Sequence, residues 1–151
     1  MQKKEFIMVV KFGRRTTRAN GQLTPGQGVE AHVNEGKKNG GRVLYTANRA
    51  PAVQNRDRIY EIILTSQDGR YAAIGEVVNI GSFEALPAPE GFNIPVVYGE
   101  SHGELRHWVA ISNIRMIEGG IRKGEYVSVN NVELLDSLHG NAPLIYATER
   151  R

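Results

Sequence analysis

At 151 residues the chain is the size of one ordinary domain, residues 1–151, and long enough to bury a core without covalent staples. It has no cysteine, which excludes disulfides, thiolate zinc sites, iron–sulfur clusters and a cysteine nucleophile, and fits a reducing, cytoplasmic setting. The net charge is only +3, but it is uneven: twelve basic residues against four acidic ones through Arg58 (+8), then seven against twelve (−5), a split that points to a polyanion such as nucleic acid.

The opening stretch MQKKEFIMVVKFGRR has a short apolar run between charges. That run is too short for a signal peptide or a membrane span, so no membrane partner is expected. Residues 5–12 are rich in β-formers and are expected to form a strand. RRTTRANGQ reads as a basic connector with an Asn20-Gly21 turn. Thr24, Pro25 and Gln27 have the spacing of a capping box with proline in the first helical turn, so a helix is expected from there. Val29, His32, Val33 and Gly36 fall on its inner face, and Asn39-Gly40-Gly41 ends it. His32 is expected to be a core or interface histidine.

GRVLYTA is a second strand. RIYEIILTS and YAAIGEVVNI are a third and fourth, joined through Gln67-Asp68-Gly69-Arg70 as a hairpin. Gly75 inside the fourth predicts a bulge or a close approach by another group. Residues 81–104 hold three prolines and four glycines and form a long irregular segment. HWVAISNI is a fifth strand, EYVSVNN a sixth, VELLDSL a short helix and PLIYAT a last strand or a terminal cover. This order predicts an α+β fold with a curved or barrel-like sheet.

No catalytic motif stands out. The four histidines have no metal-ligand spacing, no phosphate-loop or dinucleotide fingerprint occurs, and no cofactor or metal is implied. Ser101-His102-Gly103-Glu104 has catalytic residue types, but triad members meet through the fold rather than by adjacency.

The succession RVLYTANRAP, then the hairpin RIYEIILTSQDGRYAAIGEVVNI, then a long loop and HWVAISNIRMIEGG resembles the PUA-like superfamily that includes EVE, YTH and ASCH domains. The resemblance spans roughly residues 27–120. It implies a small bent β-barrel of about six strands with flanking helices. It also implies a reader module that takes one nucleobase, often a modified one, into an aromatic pocket. The chain departs from YTH domains in having one tryptophan and Tyr45 where a second is expected.

A base pocket needs a flat apolar face, hydrogen-bonding groups for the base edge and cations for phosphates. Tyr45 and Trp108 are the candidate walls and Phe83 the lid. Thr46, Asn48, Ser82 and Asn113 are candidate edge contacts. Arg14, Arg15, Arg18, Lys37, Lys38, Arg42, Arg49, Arg56 and Arg106 are candidate phosphate contacts. Two rival readings remain. One is a small ASCH-like hydrolase of modified nucleosides or nucleotides, using Glu35 with Lys37 or Lys38. The other is a protein-interaction module, in a defence or counter-defence system, that uses the 81–104 segment.

Overall fold

A computed structural model describes residues 5–13, 15–17, 21–98, 105–140, 142 and 144–149. In chain order the elements are β1 (Phe6–Lys11), β2 (Arg15–Thr17), β3 (Gly21–Leu23), α1 (Pro25–Lys38), β4 (Val43–Ala47) and α2 (Val53–Arg56). They continue with β5 (Ile59–Thr65), β6 (Ala72–Ser82), β7 (His107–Met116), β8 (Tyr126–Ser128), α3 (Leu134–Ser137) and β9 (Leu144–Glu149). The fold is α+β. Seven strands form one mixed sheet in the order β4-β7-β6-β5-β1-β9-β8, and the sheet is open between β4 and β8. β2 and β3 pair separately as a small hairpin.

The centre of the sheet is the parallel pair β1–β5, and every other pairing is antiparallel. A parallel pair needs cover on both faces, which explains why β1 reads as unbroken FIMVV rather than as an alternation. Met8 and Val10 pack on one face, under α1, with Val29, Val33, Tyr45 and Ile111. Ile7 and Val9 pack on the other face, against Ile121, Leu134 and Leu138 of the C-terminal segment.

Helix α1 starts where the capping box requires. The Thr24 hydroxyl accepts from the Gln27 amide at 3.2 Å, and the Gln27 side-chain oxygen accepts from the Thr24 amide at 2.9 Å. Two of its glycines weaken the helix locally but let it approach the sheet. A Cβ on Gly36 would sit 2.3 Å from Ile114, and one on Gly28 2.7 Å from Phe12. His32 is buried as expected, with its Nδ1 2.7 Å from the Gly28 carbonyl oxygen.

The β5–β6 hairpin forms, with Thr65 opposite Ala72. Its turn is tied by the Asp68 carboxylate, which accepts from the Ser66 hydroxyl and the Arg70 amide, and Gly69 takes φ +76°. Those contacts hold the Asp68 carboxyl below its ordinary value, the Ser66 hydroxyl first and the Arg70 amide second. The register of β6 on β7 shifts between Ile74 and Glu76, at the bulge that Gly75 foretold. A Cβ there would meet Ile111 at 2.4 Å.

Candidate functional site

The register of β4 on β7 decides the fate of the proposed slot. The two strands are antiparallel, with Tyr45 opposite Val109 and Thr46 opposite Trp108. Directly paired residues share a face and successive residues alternate. Tyr45 and Trp108 therefore lie on opposite faces of the sheet. The single slot walled by these two rings, expected from the sequence, is not formed.

Each ring has its own packing. Tyr45 is 5 % exposed and stacks on Phe12 at 5.7 Å and 18°, with His32 at 5.8 Å. Tyr98 joins this nest through His32 at 5.6 Å. Trp108 is fully buried with Leu44, Ala110 and, from the 83–94 loop, Ala88, Phe92 and Ile94. Its indole N–H donates to the Leu86 carbonyl at 2.9 Å, and its ring covers Gly81, where a Cβ would stand 2.4 Å from it. Trp108 thus clamps the loop. Thr46 is buried on the same face.

Other candidates also stand apart. Asn113 is exposed at φ +52°, and its amide donates to the Glu76 carboxylate beyond the Gly41 turn. Arg42 lies over Phe92 at 6.0 Å and donates to the Asn39 carbonyl, so it fastens the loop to the end of α1. Lys37 and Lys38 are exposed in the last turn of α1. Arg14, Arg18 and the 101–104 motif lie outside the described residues, and of Arg15 only the backbone is described.

The remaining candidates meet at one end of the sheet. His107, the first residue of β7, pairs with Ala47 on one side and Ser82 on the other. Asn48 and Arg49 continue from β4 and are exposed. Phe83 continues from β6; its amide donates to the Arg106 carbonyl, and its ring is 41 % exposed. Arg106 is exposed, and α2 brings in Arg56, whose Nε donates to the Pro51 carbonyl at 3.1 Å. Three strand ends and a short helix thus gather three arginines, an exposed ring and two small polar side chains. Beside them a cavity of about 260 Å³ opens between Val53, Arg56 and Asp57 and the β6 residues Val77, Val78 and Ile80.

His107 itself was not singled out as a contact, although Arg106-His107 is a visible signal in the sequence. Its Nδ1 is buried with no hydrogen-bond partner among the described residues. Burial, then Arg56 and Arg106, holds the imidazole below its ordinary pKa. The far part of the sheet has the opposite character. Burial, then Glu149, pushes the Glu61 carboxyl up; Arg115 opposes the rise and Glu76 adds to it.

Among the described residues no helix is long and apolar enough to cross a membrane, and no three His, Asp or Glu side chains are grouped to hold a metal. No family model, curated protein or solved structure matches the chain.

Proposed function

We propose that the protein is a nucleic-acid-binding module and that its contact surface is the end of the sheet around His107. The observation that carries this reading is the joint action of Arg56 and Arg106 on that histidine, with Arg49 exposed just past the adjoining end of β4 and Phe83 exposed just past the adjoining end of β6. Arginine guanidinium groups suit phosphate because they are planar, always charged and able to bind in a bidentate way. Phe83 offers the face on which an unpaired or modified base stacks, and Asn48 and Ser82 offer donors and acceptors to its edge. The PUA-like, EVE/YTH-like character of the chain, with the open sheet taken as a bent, barrel-like wall, belongs to the same proposal. It is supported by the succession of strands, hairpin and long loop. Tyr45 and Trp108 have no part in the contact, because each is buried in its own cluster.

The test is a titration of labelled single- and double-stranded DNA and RNA oligonucleotides, with and without modified bases, at two salt concentrations. Three phosphate contacts on a single strand give a slope of log affinity against log salt of about −2. Replacing all three arginines with glutamine should flatten that slope. No binding to any oligonucleotide at low salt would end the proposal. A base preference that survives in Phe83→Ala would remove Phe83 from it.

A further inference from the structure

A second cavity lies against α1. It is about 260 Å³ and runs between the outer flank of α1 and the segment 95–97. Its walls are largely aliphatic: Leu23, Ala31, Pro95, Val96 and Val97. Val96 is 76 % exposed and stands at the mouth. Glu35 also lines it and is only 7 % exposed.

A carboxylate so far buried ordinarily has a cation or several donors against it, since removing it from water is costly. Glu35 has neither an ion pair nor a side-chain hydrogen bond among the described residues. Its oxygens are not among the sealed polar atoms, so the access they keep is into the cavity that the side chain lines. Lys38 borders the same space one helical turn on, but its side chain is exposed and not paired with Glu35. Glu30 and the Asn34 amide oxygen add acceptors to the rim. Acceptors therefore outnumber cations here, the reverse of the arginine-bearing sheet end.

We infer that this cavity binds a guanidinium group carried on an aliphatic stem, with Glu35 as its counter-charge. The planar fork of a guanidinium matches a carboxylate with two parallel N–H···O bonds. It is more weakly hydrated than an ammonium, so it enters a half-apolar slot at lower cost. The stem lies along Leu23, Ala31 and Val96, as the methylenes of arginine do on apolar surfaces. The group comes either from a small free guanidine or from an arginine side chain on a peptide. This site is independent of nucleic-acid binding, and its ligand has the opposite charge.

Titration of the full chain with agmatine, and separately with a capped tripeptide centred on arginine, followed by amide NMR shifts, tests the inference. The expected result is saturable shifts at Ala31, Asn34, Glu35 and Val97. Glu35→Gln should weaken binding roughly tenfold or more, as loss of a charged hydrogen-bond partner does. Ala31→Leu, which fills the slot from a half-exposed position, should block it while leaving Glu35 in place. Binding of agmatine points to a free guanidine, and binding of the tripeptide alone points to a peptide arginine. No shift with either probe at about 10 mM, beyond the weakest useful affinity, overturns the site. So does equal binding of putrescine, of guanosine monophosphate at the same residues, or of agmatine to Glu35→Gln. Because no described partner is lost, Glu35→Gln should melt at the same temperature as the parent or higher. A melting point lowered by several degrees overturns the premise that the carboxylate is without a structural partner.

Discussion

Two aromatic settings lie close together along this chain and behave as opposites. The nest of Phe12, His32, Tyr45 and Tyr98 is closed, its rings stacked or tilted against one another beneath α1. A few residues beyond Tyr45 the same strand runs out into the arginine-bearing end, where Phe83 stands half open beside Arg106. In the nest the protein's own rings already occupy the faces a base would use, so those residues contribute stability. At the sheet end the pairing stops, and the Phe83 ring is partly open to solvent with Arg106 next to it. Residue type alone does not assign a role to an aromatic side chain; what covers its face does.

The largest expected effect tests the closed side. Trp108→Ala removes a fully buried ring and its bond to Leu86, and should cost about 3–5 kcal/mol in denaturant unfolding. The 83–94 loop should lose its hydrogen-exchange protection at the same time. A cost below about 1 kcal/mol would show that the loop does not rest on this ring.

The open side should respond in the opposite sense. Arg49 and Arg106 are exposed, and changing them to glutamine should alter stability by no more than about 0.5 kcal/mol each, while Arg56→Gln, which loses the half-buried bond to the Pro51 carbonyl, should cost about 1 kcal/mol. Oligonucleotide affinity should nonetheless fall steeply at low salt. If stability falls and affinity does not, the contrast between the two regions is reversed. Phe83→Ala is expected to weaken single-strand binding by about 1–3 kcal/mol, the worth of one stacked base, again with little effect on unfolding. Competition anisotropy with abasic and intact oligonucleotides separates that stacking loss from lost charge.

The smallest effect is a pH dependence. Because the folded protein holds His107 below its ordinary value, the unfolded chain takes up the proton first. Stability from this group is complete above about 6.5, the usual histidine value. It declines as pH falls from there to the lowered folded value. A phosphate beside the ring favours the protonated form, so nucleic-acid binding should tighten over the same interval. His107→Gln should flatten both trends. An unchanged profile would show that the histidine takes no part.

Much of the local structure was legible because it depends on neighbours along the chain. The capping box at Thr24 and Gln27, the Asp68-Gly69 turn and the bulge at Gly75 were readable as short patterns. The β2–β3 hairpin was not, since three-residue strands reading Arg-Thr-Thr and Gly-Gln-Leu are too short to carry an apolar alternation. α2 is a single turn with no side-chain cap and left no signal either. Asn48, Arg49, Ser82, Phe83 and Arg106 lie at adjoining strand ends, and Arg56 acts on His107 from α2, a placement set by strand pairing that no short pattern in the sequence carries. Arg42 and Asn113 were named from residue type and are engaged elsewhere.

By itself the sequence determined that this is a cysteine-free α+β chain with a helix entered at Thr24, a central apolar strand and an excess of positive charge in its first part. These follow from composition and from contacts within a few residues. Only the tertiary structure decided that Tyr45 and Trp108 face apart, that Arg56 of α2 and Arg106 act together on His107, and that Glu35 borders a cavity without a partner among the described residues. The physical reason is register. Side chains alternate along a strand, so one step in the pairing of β4 with β7 determines which face each ring joins.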